Sequence, residues 1–308
     1  MNGLIFWVAF IAFVAVMLVL DLTVFHRGSK EVRFRSAMGW SAFWIALAAG
    51  FAVLVYFWHG RTAALDFTTG YLIEESLSVD NLFVFLLIFR YFKVPGHYQH
   101  KVLFWGIIGA LVMRLAFIIL GVALINRFEW IIYLFGAFLV YTGIKLAGGG
   151  EAEVHPEKNP VLKWLRKFIP ITPDYVKGKF FVRENGLYAT PLLLVLIVIE
   201  TTDVLFATDS IPAVLAITRD PFIVFTSNVF AILGLRSLYF ALAGMMELFH
   251  FLHYGLAVIL SFIGVKMLIS HYYAIPTHTA LAVVGVVLAV SVGASLAFPK
   301  KERAVGRN

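Results

Sequence analysis

Residues 187–214 read LYATPLLLVLIVIETTDVLFATDSIPAV, and residues 66–89 read DFTTGYLIEESLSVDNLFVFLLIF. Each run is long enough to cross a bilayer, which takes about 20 residues. Each also carries carboxylates where hydrocarbon should be: Glu74, Glu75 and Asp80 in one, Glu200, Asp203 and Asp209 in the other. An acid at the centre of a spanning helix costs roughly 2.5–3.5 kcal/mol, so six cost roughly 15–20 kcal/mol. A chain keeps such residues only where they face one another, water or a cation.

The two stretches are related. Asp80-Asn-Leu-Phe83 matches Asp203-Val-Leu-Phe206, Arg114 matches Arg236, Tyr133 matches Tyr254, and Gly143-Ile-Lys145 matches Gly264-Val-Lys266. The offsets are 123, 122, 121 and 121. Near-constant offset points to an internal repeat, about 65–148 and about 187–271. Each copy holds three apolar runs. An odd number of spans per copy makes the copies antiparallel, the inverted-repeat plan that recurs in secondary transporters.

Working outward, further apolar runs fall at about 3–25, 39–58, 102–125, 130–147, 222–246, 254–270 and 279–298. The expected fold is therefore all-α: one polytopic membrane domain over 1–308, with nine transmembrane helices and two three-helix inverted repeats. The spans 3–25, 39–58 and 279–298 stand outside the repeats. The first run lacks a basic leading segment and a small-residue cleavage site, so it reads as a retained span. Composition agrees: 61% of residues are hydrophobic and 14% charged, against roughly 25% charged in soluble domains.

The net charge of +7 follows topology. Segments 26–38, 90–101, 148–186 and the tail after 298 hold eighteen Lys and Arg; the alternate connections hold only Arg61, Arg127 and Arg219. This split predicts an outside N-terminus and a cytoplasmic C-terminus in an inner membrane, with the bilayer, not nucleic acid, as partner. The one long polar loop, 148–186, reads as a cytoplasmic linker. Its stretch Val161–Phe168 reads as a basic amphipathic helix lying on anionic headgroups.

At 100° per residue Glu74, Ser78 and Asn81 share one helix face, and Glu200 and Asp203 share another. Asp80 lies about 120° from Glu74 and Asp209 about 180° from Glu200. Pro212 follows Asp209 by three residues and Gly70 precedes Glu74 by four. Both spans are thus expected to break or kink near their acids, freeing carbonyls as further ligands. The candidate metal ligands are Glu74, Asp80, Asn81, Glu200, Asp203 and Asp209, with Ser78, Thr208, Ser210, Arg114 and Arg236 in support. Such hard oxygen donors suit Mg2+, Ca2+ or Mn2+.

Four basic residues, Arg114, Arg236, Lys145 and Lys266, lie within the spans. Set against six acids they leave a deficit of two charges, which one divalent ion would cancel. Asp21 and Glu247 fall near span ends and read as structural. The nine histidines all fall at span ends or in loops. Cysteine is absent, which excludes disulfides, zinc–thiolate sites and thiol catalysis. With no Ser-His-Asp set, no metalloprotease His-Glu pair and no phosphate-binding Gly loop, an enzyme is not expected, nor a resident cofactor.

Ile73-Glu74-Glu75-Ser76-Leu77-Ser78-Val79-Asp80-Asn81, Glu200 through Ala213, and Ser227 through Arg236 resemble the TerC/Alx family of integral membrane proteins. The resemblance covers about residues 5–298, is similar to the Alx branch, and implies the LysE exporter superfamily. It implies a transporter exporting a divalent cation, Mn2+, with functional acids at Glu74, Asp80, Glu200, Asp203 and Asp209. It assigns no role to Glu75. Two other expectations follow from the same residues and family: a non-transporting membrane module that senses metal or pH or delivers metal, and a protein associated with tellurium resistance.

Overall fold

The computed structural model describes residues 2–25, 34–148, 161–162, 164, 167, 169–183, 186–242, 251–273 and 275–298; the side chain of Asp80 lies outside the described residues. The helices are α1 (Asn2–Phe25), α2 (Phe34–Tyr91), α3 (Gly96–Arg127), α4 (Ile131–Ala147), α5 (Pro191–Leu215), α6 (Pro221–Leu242), α7 (Leu252–Ile269) and α8 (Thr277–Ala297). By length and composition α2, α3, α5, α6, α7 and α8 can each cross a membrane, and α1 and α4 hold shorter apolar helices, Ile5–Leu20 and Ile131–Ala147. The chain is a mostly helical polytopic membrane protein.

Helix α2 covers two expected spans, 39–58 and 66–89. The sequence suggested a connection between them; the structure has a single-residue break. Gly60 sits at φ 85°, ψ 179°, with helical residues on both sides. The Phe51 and Phe67 rings are 5.1 Å apart. Sixteen residues of straight helix would separate them by about 24 Å, so the chain folds back at Gly60 and the two arms lie side by side. That backbone region is essentially closed to residues with a Cβ. Gly60→Ala is expected to cost about 1–3 kcal/mol, read as a lower Tm in detergent.

Helices α2 and α6 pack against each other along much of their length, as do α4 and α7, while α3 packs on α5 and α6. Phe10, Phe51, Phe67 and Phe230 form a ring cluster that fastens α1 to α2 and α6. The α4–α7 crossing is close. A Cβ on Gly143 would come within 2.7 Å of the Ala257 carbonyl, and one on Gly264 within 2.6 Å of the Gly136 carbonyl. Small residues allow such approach where packing, not the hydrophobic effect, drives helix association.

The expected sixth span starts later than position 187. Phe181–Arg183 (β1) and Leu187–Ala189 (β2) form an antiparallel pair with Phe181 opposite Ala189 and Arg183 opposite Leu187. Thr190 is extended and Pro191 takes the first helical position; proline disfavours helix in the residue before it, so the helix begins there. This end of the 148–186 loop is more than a linker. Tyr175 Oη donates to the Phe92 carbonyl at 2.8 Å, and Lys101 Nζ to the Gly178 carbonyl at 2.8 Å. The hairpin is thereby stitched to the α2–α3 turn. In the Val161–Phe168 stretch, residues 163, 165, 166 and 168 lie outside the described residues, and the other four are helical.

Neither acid-bearing helix is broken at its acids. Residues 61–91 and 191–215 are continuous helix. The expectation of breaks there is corrected, and the hydroxyls supply the reason. Ser76 donates to the Leu72 carbonyl, Thr201 to Ile197 and Thr202 to Val198. These three hydroxyls beside the acids are satisfied by their own helix. Pro212 falls in the last turn of α5, so only the C-terminal end loses a bond.

Candidate functional site

One residue from each of four helices meets in the core: Glu74 of α2, Arg114 of α3, Asp203 of α5 and Asn228 of α6. They are 0%, 1%, 4% and 0% exposed. Arg114 Nη1 donates to Glu74 Oε2, a short ion pair, and to Asn228 Oδ1 at 2.7 Å. Arg114 Nη2 reaches Asp203 Oδ1 at 3.3 Å. Asn228 Nδ2 donates to Glu74 Oε1 at 2.9 Å, so both Glu74 oxygens are engaged. A guanidinium is the cation suited to this position, because its planar fork serves several acceptors at once.

Glu200 stands one helical turn before Asp203, close enough for the two charges to interact. Its carboxylate lies directly against Gly109 of α3, where a Cβ would overlap it. Gly109 therefore makes the room that Glu200 occupies. Glu200 Oε2 and Asp203 Oδ2 are both buried and have no hydrogen-bond partner among the described residues. On its far side Asp203 lines a small cavity walled otherwise by apolar residues, including Phe85, Ile107, Ile199 and Ile232.

The structure thus brings together Glu74, Asp203, Glu200 and Arg114. It separates Asp209, which pairs with Thr142 of α4, the hydroxyl donating at 3.3 Å, and lies within electrostatic reach of Lys145. The cause is the helical period: unbroken, α5 keeps Asp209 about 180° from Glu200. Thr208 is exposed and donates to its own helix at Leu205, so its expected support of the site is corrected. Ser78, Asn81, Ser210 and Arg236 are buried. Ser78 and Asn81 continue the Glu74 face of α2, and Ser78 Oγ, Asn81 Nδ2 and Ser210 Oγ have no hydrogen-bond partner. Glu75 turns away from the cluster toward Tyr71, its hydrogen-bond partner one turn earlier.

Two partners escaped the sequence reading. Asn228 and Thr142 are uncharged; the signals for Asn228 were the polar run Thr226-Ser227-Asn228 inside an apolar helix and its place in the family-like stretch Ser227 through Arg236. Among the described residues no three His, Asp or Glu side chains cluster tightly enough to hold a metal unaided. Asp209→Ala removes one hydrogen bond at the rim. It is expected to cost about 0.5–1.5 kcal/mol of stability, measured by thermal unfolding in detergent, with the Arg114 cluster left in place.

An uncharacterised membrane protein of Myxococcus xanthus is 51% identical over 291 residues, covering 94% of this chain and 91% of its own. The protein described as "Putative membrane-bound redox modulator Alx" in Escherichia coli K12 is 50% identical over 289 residues, 90% of each chain. An uncharacterised membrane protein of Rickettsia bellii is 41% identical over 291 residues, 94% of this chain and 96% of its own. No solved structure matches the chain. Residues 59–303, which hold every acid and arginine of the site, match the integral membrane protein TerC family, and the chain belongs to that family.

Proposed function

We propose that this protein is a transporter, not an enzyme, that exports a divalent metal cation through its core, and that the cation is Mn2+. The observation that carries the reading is a charge imbalance. Buried Glu74 and Asp203, with half-buried Glu200 beside them, bring three negative charges to one cluster, and Arg114 brings one positive. The deficit of two equals the charge of one such ion. Glu200 Oε2 and Asp203 Oδ2, buried and unpartnered, are the oxygens that would receive it. Other oxygens complete the shell, because these two carboxylates alone do not. Hard oxygen donors select among Mg2+, Ca2+ and Mn2+ no further than that class; manganese rests on the family resemblance.

The architecture proposed with this function is nine spans containing two inverted repeats, in an inner membrane, with the N-terminus outside and the C-terminus cytoplasmic. The α4–α7 crossing supports it. Under the offset of 121, Gly143 corresponds to Gly264 and Gly136 to Ala257. Gly143 meets Ala257 while Gly264 meets Gly136, the reciprocal pattern of a two-fold contact. At the neighbouring offsets of 123 and 122, Asp80 corresponds in sequence to Asp203 and Arg236 to Arg114.

A second reading, a metal or pH sensor without net flux, is favoured by one observation: Arg114 already ties Glu74 to Asp203. The redox role in the name of the Alx relatives would not run through thiols here, since the chain has no cysteine. Purified protein in liposomes loaded with a Mn2+-quenched dye separates the readings. Uptake well above protein-free vesicles is expected; binding without uptake would support the sensor and end the transport reading.

A further inference from the structure

We infer that Arg114 is a resident competitor of the cargo: its guanidinium occupies the negative charge of Asp203 when no cation is bound, and a cation loads by taking Asp203 from it. The inference rests on the reading of Glu200 and Asp203 as the cation site. Its starting point is the inequality of the arginine's contacts. Toward α2 and α6 the guanidinium makes two contacts, an ion pair with Glu74 and a 2.7 Å bond to Asn228; toward α5 it makes one bond, to Asp203 at 3.3 Å. Asn228 reinforces the stronger side by bonding Glu74 as well. Arg114 is thus anchored on α2 and α6 and only leans on α5.

Asp203 has two ways to satisfy its charge. One oxygen takes the long bond from Arg114; the other is unpartnered, as is Glu200 Oε2 one turn away. A divalent ion bridging Glu200 and Asp203 brings twice the charge of the guanidinium. Breaking the 3.3 Å contact leaves Arg114 paired with Glu74, so loading strands no buried charge, the outcome that would make it prohibitive. The cavity beside Asp203 leaves space for the carboxylate to shift. Release runs in reverse: the guanidinium returns to Asp203 and lowers its hold on the ion. Because Arg114 joins Glu74 of one repeat to Asp203 of the other, loading also loosens the contact between the two halves.

A residue that merely holds the fold would weaken metal binding when removed. A competitor, removed cleanly, strengthens it. Arg114→Gln alone leaves Glu74 unpaired and risks misfolding, so the decisive variant is the charge-balanced Arg114→Gln/Glu74→Gln double. It deletes both members of the buried pair, an exchange that is often neutral for stability. Mn2+ binding to purified protein is measured by calorimetry, with folding checked by circular dichroism and thermal unfolding. The double variant is expected to bind Mn2+ about tenfold more tightly than the parent: the net charge of the cluster is unchanged, but the positive charge removed touches Asp203, whereas the negative charge removed contacts only Arg114 and Asn228. Its turnover in liposomes should fall, because nothing reclaims Asp203. Equal or weaker binding by a folded double variant overturns the competitor role while leaving the cation site standing. No Mn2+ binding by either protein overturns both. If the double variant does not fold, the same comparison is made with Asn228→Leu, which removes one anchor of the guanidinium; binding tighter than the parent's is contrary to the inference, since a less anchored arginine holds Asp203 more.

Discussion

Arg114→Ala is expected to be the most damaging single substitution in the chain, costing about 3–5 kcal/mol of stability. The guanidinium is 1% exposed and serves Glu74, Asp203 and Asn228 at once. Its removal leaves two carboxylates in a dry core with no positive partner, and Glu74 keeps only the amide of Asn228. Desolvation of such unpaired charge exceeds what any surrounding packing returns. The loss should appear as a large drop in Tm, or as protein recovered only in aggregates. Arg114→Lys keeps the charge but not the fork, and should fall between parent and alanine variant. A parent-like Tm for Arg114→Ala would mean that Glu74 and Asp203 are not held as described.

Glu200→Gln should have the opposite profile, intact folding with lost transport. Glu200 is not among the acceptors of Arg114, so removing its charge strands no arginine. The glutamine is nearly isosteric and still fits against Gly109. Stability is therefore expected to stay level or rise slightly, since an uncompensated buried charge has gone. Transport loses one of the two charged ligands. At about 4 Å and the screening typical of protein, one such charge is worth about 4 kcal/mol, so Mn2+ flux in liposomes should fall about 100-fold or more. Undiminished flux in Glu200→Gln would remove this residue from the ion's path.

The parts of this molecule that sequence reveals are those where physics leaves few options. Among the described residues, apolar runs of spanning length locate each of the helices α1 to α8, because no other solvent accepts them. The cost of intramembrane carboxylates singles out six acids, and the structure brings three of them, Glu74, Glu200 and Asp203, together near Arg114 while holding Asp209 apart. What stays hidden depends on single atoms or on neighbours distant in the chain. Gly60 looks like part of a connection, yet one residue with positive φ turns α2 back on itself. Leu187–Ala189 reads as apolar span but pairs with Phe181–Arg183, because Pro191 delays the helix.

The placement of Asp209 was contained in the helical spacing, which sets it opposite Glu200. The expectation of a broken helix overrode that geometry, and the continuous helix restores it. Asn228 was passed over for want of charge. An amide can both donate and accept, and here it does so between Arg114 and Glu74, a role no charged residue fills.

The most direct measurement is the anomalous scattering of Mn2+ in crystals of the purified protein grown with the metal. A peak within coordination distance of Glu200 and Asp203, between α3 and α5, with Arg114 still on Glu74, is the predicted result. Manganese located only at the loops or span ends, with Arg114 still bridging Glu74 and Asp203, would contradict a cation site in this core.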